Sequence, residues 1–338
     1  MSNQLKQTIK DMVVVGKGIL AADESAKTAA KRLASINVES TEETRRQYRN
    51  LILTAPGMEG YICGVILFEE TLHQKSDSGI LFPELLEKNG IVPGIKVDDG
   101  LADLEGHPGE QYTKGIETLG KRMEEYKKSG PRFAKWRAVY SISENTPSDL
   151  IIEKNAHDLA RYAKICQDHS IVPIVEPEVL IDGSHSIEIC YKITEKVQKA
   201  VFDALKKEGV MLEYTILKPS MVISGKQAAG SANVDEVARQ TIKCLKSTVP
   251  AEIPSINFLS GGQTSQEATA HLNKMHTLGE KLPWYVSFSY GRALQDSALK
   301  AWQGKKEYVE AGQKAFLKRA RLNSLAAKGL YSEDMEND

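Results

Sequence analysis

One lysine closes a short apolar stretch, where it would act as a nucleophilic amine. The stretch Tyr214–Leu217 is followed by Lys218 and Pro219. Apolar runs of this kind are typical of buried strands, and because proline cannot continue a central ladder, the strand should stop at Lys218. A free lysine has a pKa of about 10.4, so it attacks a carbonyl only once burial or a neighbouring cation lowers that pKa. The alternative, a lysine extending from the strand end into water, is favoured by this window taken alone.

Charged residues at alternate positions lie in three further apolar stretches. The pairs are Lys96 and Asp98, Lys135 and Arg137, and Glu176 and Glu178. Side chains two positions apart on a strand face the same way, so each pair points either into a barrel mouth or outward at the helices. An outward charge would be desolvated without a partner. Any one pair could be a structural ion pair, but several pairs at equivalent strand ends, with Asp23 and Lys218, are more easily interpreted as an active-site floor.

These charges would complement one another chemically. Lys135 near Lys218 would lower the pKa of the amine by like-charge repulsion. Glu176 and Glu178, if close together, cannot both ionise cheaply, so one would hold a proton and serve as a general acid and base. Asp23, across the mouth, would take a proton from a substrate hydroxyl.

Two glycine-containing turns are candidates for phosphate binding. The turns Leu259–Gly262 and Ser289–Arg292 follow the seventh and eighth expected strands, where barrels often bind phosphate through backbone N–H groups. Arg292 adds a guanidinium suited to an anion. A second cluster after the first strand comprises Ser25, Thr28, Lys31 and Arg32, although its two basic residues are also compatible with a solvated helix face. Two anion sites beside an amine indicate a substrate with a phosphate at both ends.

Eight short apolar stretches must position these side chains. They are expected at Gly18–Ala22, Cys63–Phe68, Gly94–Asp98, Phe133–Ile142, Ile171–Val179, Tyr214–Lys218, Ile256–Leu259 and Trp284–Ser289. Amphipathic helical segments alternate with them, so the pattern predicts an α/β fold, a (β/α)8 TIM barrel in a single domain over 1–332. A doubly wound open sheet is the alternative, weakened because no Gly-x-Gly-x-x-Gly or Walker loop follows any strand. The acidic tail 333–338 is expected to be disordered.

Helix-start signals lie between the expected strands. Capping boxes are expected at Ser40 with Glu43 and at Thr264 with Glu267, and Asn233 is expected to cap the helix that follows it. Thr146 is expected to be an N-cap followed by proline at the first helical position.

Composition excludes several classes of protein. The 338 residues carry a formal charge of −1, which gives no global attraction to nucleic acid or to an anionic membrane. Four scattered cysteines without a C-x-x-C pair fit reduced thiols, and the seven histidines do not cluster as a catalytic metal site would require. No apolar stretch has the length of a membrane span or a signal peptide. We therefore expect a soluble cytoplasmic protein.

Taken in order, the motifs resemble those of the class I (Schiff-base-forming) fructose-1,6-bisphosphate aldolases over nearly the whole chain. The matching stretches are Gly18–Ser25, Gly64–Phe68, Gly94–Asp98, Phe133–Arg137, Val172–Glu178, Leu217–Pro219, Phe258–Gly262 and Phe288–Arg292. The resemblance implies a (β/α)8 barrel, usually a homotetramer, that needs no metal or other cofactor. It also implies reversible retro-aldol cleavage of fructose 1,6-bisphosphate to dihydroxyacetone phosphate and glyceraldehyde 3-phosphate, in glycolysis and gluconeogenesis.

The resemblance further implies a role for each matching position. Lys218 would form the Schiff base, and Glu176 would shuttle protons to and from the carbinolamine with the help of Lys135 and Glu178. Asp23 would remove the C4 hydroxyl proton. The ketose phosphate would be held by Ser260, Gly261, Gly291 and Arg292, and the far phosphate by Ser25, Thr28 and Lys96. Arg32, Arg137, Gly262 and Ser289 complete the expected substrate site.

Three positions depart from the family pattern. Many members end in a tyrosine on a mobile tail, whereas the last tyrosine here is Tyr331. Ser220 stands where asparagine commonly follows Lys-Pro, and Tyr214 occupies a usual glycine position. Two other functions remain open at this point: a sibling Schiff-base lyase or transaldolase acting on a sugar monophosphate, and a non-catalytic barrel that serves as a binding scaffold. Two anion clusters argue against the first, and the complete set of costly buried charges argues against the second.

Overall fold

Eight parallel strands close into a barrel in the structure, a computed structural model that describes residues 2–337. Each strand pairs with the next along the chain, and the eighth pairs with the first through Ile19 and Ser289. The strands span Gly18–Ala22, Ile62–Leu67, Val92–Lys96, Phe133–Tyr140, Val172–Val179, Ile216–Leu217, Ser255–Phe258 and Tyr285–Tyr290. The predicted (β/α)8 barrel is confirmed, and the doubly wound alternative is wrong because an open sheet would leave the first and eighth strands unpaired.

Helices cover the outside of the barrel and close its amino-terminal end. Their bounds are Ser2–Met12, Ala26–Ala34, Glu42–Leu53, Glu69–His73, Phe82–Lys88, Leu119–Lys128, Asp149–Asp168, Ile187–Lys207, Val234–Thr248, Ser265–Thr277, Arg292–Trp302 and Val309–Ala326. Leu5 and Met12 of the first helix pack against a small core cluster at the lower end of the barrel interior, which includes Phe133 and Ile216. No helix within residues 2–337 is long and apolar enough to cross a membrane.

The sixth strand, which presents Lys218, is shorter than the sequence predicts. Tyr214 belongs to a 3-10 turn, Leu212–Tyr214, and the ladder is formed by Ile216 and Leu217 alone. The backbone N–H of Lys218 still donates to the carbonyl of Val175 on the fifth strand at 2.8 Å. Pro219 then ends the strand, as expected from its missing N–H. Lys218 is therefore fixed at the rim by a neighbouring strand even though its own strand is brief.

Two of the predicted helix caps differ from the observed ones. The helix Glu42–Leu53 is capped one residue later than expected, by Thr41 with Thr44. The cap at Thr146 is also wrong: Ser148 accepts the N–H of Ile151, and Pro147 lies before the helix. In both places an adjacent hydroxyl residue satisfies the same geometric requirement, so the sequence pattern does not fix the register. The caps at Asn233 and Thr264 are confirmed.

Two features at the periphery differ from expectation. A small antiparallel hairpin joins Leu101–Asp103 to Gln111–Thr113, in strands too short to show a periodic pattern. Within the described residues the tail contains a 3-10 helix at Glu333–Glu336, where the sequence predicts disorder. Glu336 pairs with the buried guanidinium of Arg319 at 2.5 Å and accepts a hydrogen bond from Tyr331, which explains its order.

Candidate active site

A cavity of about 360 Å³ opens at the carboxyl ends of the strands and collects nearly all the predicted site residues. Those lining it are Asp23, Ser25, Thr28, Arg32, Lys96, Lys135, Arg137, Glu176, Glu178, Lys218, Ser260, Gly261, Ser289, Gly291 and Arg292. Gly262 does not line it. Asp98, from the predicted floor, and Leu259, from a predicted phosphate turn, also line it. Glu24 does as well, although the prediction did not place it in the site. Six basic and five acidic side chains line the cavity, so most basic groups have a carboxylate partner before any substrate phosphate binds.

Lys218 lies inside the cavity with its side chain almost fully buried. Only 4% of the residue is exposed, and its Nζ lies 3.1 Å from Oε1 of Glu176. The alternative of a lysine extending into water is therefore wrong. An amine beside a carboxylate has a proton acceptor at hydrogen-bonding distance, as a nucleophile of this type requires.

Lys135 is the cation on which three strands converge. Its Nζ lies 2.8 Å from Asp23, 3.3 Å from Glu176 and 3.7 Å from Asp98. Burial lowers the pKa of Lys135, but the three carboxylates outweigh burial and raise the pKa well above its ordinary value. Lys135 is therefore a permanent positive charge in the middle of the site.

Asp23 is held in its ionised form. Burial raises its pKa, but the amines of Lys135 and Lys218 outweigh burial and hold the pKa of Asp23 well below its usual range. A carboxylate that stays ionised at neutral pH can accept a proton from a bound hydroxyl. The first strand ends at Ala22, so the residue that follows it projects from the barrel rim.

Glu176 and Glu178 contact different cations. Glu176 lies between Lys218 and Lys135, whereas Glu178 forms an ion pair with Nε of Arg137. This arrangement differs from the expected pair of carboxylates sharing one proton, because each charge is compensated separately. Burial lowers the pKa of Arg137, but Glu178 outweighs it and raises the pKa above its ordinary value. The hairpin contributes to this wall, since the hydroxyl of Thr113 donates to the carbonyl of Arg137 at 2.6 Å.

Asp98 is one of the paired charges that the sequence predicts at the active-site floor, although no separate role was assigned to it. Its Oδ1 lies 3.1 Å from Nζ of Lys96, and its Oδ2 faces Lys135. The amine of Lys96 also lies 5.6 Å from the centroid of the Phe68 ring. Asp98 therefore positions Lys96 at the cavity wall, where the Lys96-x-Asp98 spacing had placed both charges.

The two glycine turns present backbone to the cavity. Gly261 and Gly262 have φ values of 52° and 86°, which non-glycine residues rarely adopt, so this turn needs glycine. Gly262 lies on the outer side, where an added Cβ would be 2.8 Å from Nζ of Lys226. On the other turn, the hydroxyl of Ser289 is buried without a hydrogen-bond partner in the described residues. An unpaired buried hydroxyl is available to a ligand.

The cluster after the first strand separates into two parts. Ser25 caps the helix Ala26–Ala34 and lines the cavity with Thr28, whereas Lys31 is exposed on that helix. Arg32 turns inward, with its Nη1 2.5 Å from Oε1 of Glu24. The solvated-face interpretation thus holds for Lys31 and fails for Arg32. Glu24 had no sequence signal, because its partners come from two helices and are not spaced along the strand.

Two of the positions that depart from the family pattern lie outside the lining. Ser220 is buried and donates to the carbonyl of Val179 at 2.9 Å, and Tyr214 packs against the lower core cluster. Among residues 2–337 no group of three or more histidine, cysteine or acidic side chains is arranged to hold a metal ion.

Comparison with known proteins identifies one family. A family model described as fructose-bisphosphate aldolase class-I matches residues 4–338. A probable fructose-bisphosphate aldolase class 1 of Xanthomonas axonopodis pv. citri is 54% identical over 329 residues, covering 97% of this chain and 98% of the relative. The cytosolic fructose-bisphosphate aldolase 4 of Arabidopsis thaliana is 53% identical over 321 residues, covering 95% of this chain and 82% of the relative.

A solved structure agrees with these relatives. The fructose-bisphosphate aldolase of Plasmodium falciparum, crystallised in a ternary complex with TRAP and a small-molecule inhibitor, superimposes with a TM-score of 0.96 at 47% sequence identity. The match covers 98% of this chain and 96% of that chain. Sequence and backbone thus point to the same family.

Proposed function

The chain belongs to the class I fructose-bisphosphate aldolase family, and from this membership we propose that Lys218 is the lysine that forms a Schiff base with the ketose. As a member it is an aldolase, a carbon–carbon lyase that acts on a sugar bisphosphate. The alternatives of a sugar-monophosphate lyase and a non-catalytic scaffold are set aside with that membership. The roles of the individual residues are what remains to be proposed.

Imine formation begins with a proton transfer between neighbours. The ammonium of Lys218 gives a proton to Glu176 across 3.1 Å, and the neutral amine attacks C2 of the ketone. Glu176 returns that proton to the alkoxide oxygen, then takes a second proton from the carbinolamine nitrogen and gives it to the hydroxyl, which leaves as water. A protonated imine is left at Lys218. Lys135 assists by compensating the charge of Glu176, and Glu178 assists by holding Arg137 in place at the neighbouring wall.

Carbon–carbon cleavage uses the carboxylate on the opposite rim. Asp23 accepts the proton of the C4 hydroxyl, the C3–C4 bond breaks, and its electron pair moves into the protonated imine to give an enamine. Glyceraldehyde 3-phosphate leaves with the new C4 carbonyl. The enamine is protonated at C3 and hydrolysed, which releases dihydroxyacetone phosphate and restores Lys218.

The phosphates are proposed to bind on two sides of the lysine. The ketose phosphate is assigned to the turns after strands seven and eight, and the far phosphate to the helix start after strand one and the end of strand three. The residues concerned are Ser260, Gly261, Ser289, Gly291 and Arg292 for the first, with Arg32 beside Gly291, and Ser25, Thr28, Lys96 and Arg137 for the second. Backbone N–H groups at such turns attract anions without needing a full charge.

One observation carries the proposal: a buried lysine amine contacts a buried carboxylate at the mouth of a closed barrel. The test is reduction with borohydride in the presence of dihydroxyacetone phosphate, followed by peptide mapping. We expect one adduct at Lys218 and full activity in EDTA. Lys218→Ala should be inactive and unlabelled, whereas Lys246→Ala, which removes an exposed lysine paired with Glu280, should behave as wild type. Label on a different lysine would contradict the assignment.

We also propose that the protein acts as a cytoplasmic homotetramer. The plant relatives named cytosolic support the location, and the family resemblance supports the assembly. Light scattering coupled to size-exclusion chromatography would check the assembly. A mass near 37.3 kDa, that of one chain, would contradict it.

A further inference from the structure

The carboxylate of Glu24 is held by two arginines from different helices. Its Oε1 lies 2.5 Å from Nη1 of Arg32, and its Oε2 lies 2.5 Å from Nη1 of Arg49. Glu24 is 7% exposed and Arg49 is 3% exposed. Arg32 lines the cavity, and Arg49 lies behind it on the helix Glu42–Leu53. Glu24 therefore connects a residue of the cavity wall to a fixed residue of the interior.

Additional hydrogen bonds fix the rear of this cluster. Nη2 of Arg49 donates to the backbone carbonyl of Glu24 at 3.1 Å. Gln295, on the helix after the eighth strand, donates from Nε2 to Glu24 Oε1 at 3.1 Å and to the carbonyl of Ala21 at 2.7 Å. The hydroxyl of Tyr48 in turn donates to Gln295 at 2.7 Å. Glu24 is thus oriented from behind by Arg49 and Gln295, and the hydroxyl of Tyr48 also accepts a hydrogen bond from Nη1 of Arg32 at 3.4 Å.

The guanidinium of Arg32 reaches the turn assigned to the ketose phosphate. A Cβ added at Gly291 would lie 3.7 Å from Nη2 of Arg32, so the two groups flank the same space. This location differs from the sequence-based grouping of Arg32 with Ser25 and Thr28, which assigns it to the far phosphate.

The charges of this cluster do not cancel. Burial raises the pKa of Glu24, but the two arginines outweigh burial and lower it, so the group is a carboxylate at neutral pH. One carboxylate between two guanidinium groups leaves one net positive charge next to the cavity. If Arg32 had to neutralise Glu24 alone, both oxygens would compete for its donors.

We propose that Arg49 is a positioning residue for phosphate binding: by occupying Oε2 and the backbone carbonyl of Glu24, it leaves Arg32 bound to Glu24 through Oε1 alone. Nη1 of Arg32 contacts Glu24 and Tyr48, and its Nη2, on the side of Gly291, is left for a phosphate. The inference rests on the proposed contact between Arg32 and a substrate phosphate. Without Arg49, the vacant Oε2 draws the guanidinium of Arg32 away from the cavity and onto Glu24.

The test compares a phosphorylated ketone with an unphosphorylated one in Arg49→Met. Borohydride trapping at Lys218 is measured against the concentration of dihydroxyacetone phosphate and, separately, of dihydroxyacetone. We expect half-maximal trapping to need about tenfold more dihydroxyacetone phosphate, which corresponds to losing one hydrogen bond to a charged group. The dependence on dihydroxyacetone should not change, because that probe lacks the phosphate. Inorganic phosphate should also compete about tenfold more weakly against trapping by dihydroxyacetone phosphate.

Two variants serve as references. Arg45→Met removes an arginine of the same helix that pairs with Glu70 at 2.5 Å outside the cavity, and it should leave both probes unaffected. Arg49→Lys keeps the charge but cannot contact Oε2 and the carbonyl together, so about a threefold shift with dihydroxyacetone phosphate is expected. If Arg49→Met does not fold, Arg49→Lys carries the test.

The outcomes separate this inference from the catalytic assignment. A folded Arg49 variant that traps dihydroxyacetone phosphate like the wild type would overturn the positioning role. Equal losses with both ketones would also overturn it, since they would reflect general damage to the barrel. Absence of label on Lys218 in the wild type would refute the proposed Schiff base instead.

Discussion

The amine of Lys135 lies within ion-pair distance of three carboxylates, so at the scale of single residues its replacement tests how the cavity is charged. Lys135→Met keeps the length of the side chain and removes the cation. We expect the free energy of unfolding at pH 7 to fall by about 3 kcal/mol, because buried carboxylates are left without their partner. Urea denaturation would measure this loss. Lys164→Met, which breaks an exposed pair with Asp168, should cost less than about 1 kcal/mol.

The destabilisation caused by Lys135→Met should change with pH in a defined direction. Asp23 has a lowered pKa in the folded protein, so its ionisation stabilises the fold above the unfolded pKa of about 3.9, and this contribution is lost as pH falls through the folded pKa. In Lys135→Met the pKa of Asp23 rises, so Asp23 becomes protonated at a higher pH than in the wild type. Protonation removes the unpaired buried charge that destabilises the variant. The difference between wild type and variant should therefore narrow from pH 7 toward pH 4. A difference that widens on acidification would contradict the assigned charges.

Replacing Asp23 would separate carbon–carbon cleavage from imine formation. Asp23→Asn is expected to lower kcat for bisphosphate cleavage about 100-fold or more, the usual size of a general-base contribution. Trapping of dihydroxyacetone phosphate should persist, since that ketone has no C4 hydroxyl to deprotonate. Cleavage rates and borohydride labelling on one preparation would provide both readouts. Loss of labelling in parallel with kcat would mean that Asp23 serves imine formation as well.

At the scale of elements, a buried histidine ties a helix to a phosphate turn. Nδ1 of His271, on the helix Ser265–Thr277, lies 2.6 Å from Oε1 of Gln263, whose backbone N–H donates to Ser260. Burial lowers the pKa of His271 to about 4. The folded protein therefore binds this proton only near pH 4, whereas the unfolded chain binds it near pH 6.5. The free energy of unfolding consequently falls as pH drops below 6.5.

The variant His271→Asn isolates this effect, because an amide can donate the same hydrogen bond without titrating. Between pH 7 and pH 5 the wild type should lose about 2 kcal/mol more unfolding free energy than the variant, from the difference between the two pKa values. Denaturant titrations at both pH values would measure it. The loss should level off near pH 4. Identical pH dependence in the two proteins would show that the ring is already protonated or solvated when folded.

Element types could be predicted from the sequence more reliably than their ends. The strand that presents Lys218 was identified from its apolar run and its proline, but Tyr214 lies in a 3-10 turn because the neighbouring strand, and not residue pattern, decides where pairing begins. Caps at Thr41 and Ser148 were displaced by one or two residues for a related reason. At each place two hydroxyl residues lie within two positions of each other, and only the backbone geometry selects between them.

At the scale of the whole molecule, the sequence shows eight apolar strands alternating with amphipathic helices. Barrel closure and the gathering of charges at one end of the barrel follow from that pattern. The ion pairs inside the cavity do not. Whether Glu176 reaches Lys135 depends on the stagger between neighbouring strands, and the two arginines on Glu24 come from helices outside the barrel. Contacts across the barrel lie between residues distant in the chain, so spacing along the sequence carries no information about them.

Closure of the barrel also depends on two glycines whose role is steric. The ring of Phe133 fills the lower interior, where a Cβ added at Gly94 would lie 2.3 Å from it and one at Gly64 would lie 3.2 Å away. Gly94 and Phe133 are paired across neighbouring strands. We expect Gly94→Ala to lower the free energy of unfolding by about 3 kcal/mol through overpacking.

A double-mutant cycle would establish that the ring is the cause. Phe133→Leu on the Gly94→Ala background should recover part of the loss, because the smaller side chain vacates the space, whereas Phe133→Leu alone should destabilise the protein by leaving a cavity. Gly120→Ala, in the helix Leu119–Lys128 with open space around it, should instead stabilise by about 0.5 to 1 kcal/mol. Chemical denaturation of the wild type, Gly94→Ala, Phe133→Leu and the double variant gives the coupling energy. Strictly additive effects of the two barrel substitutions would show that Gly94 is required for its backbone conformation, and not to make room for Phe133.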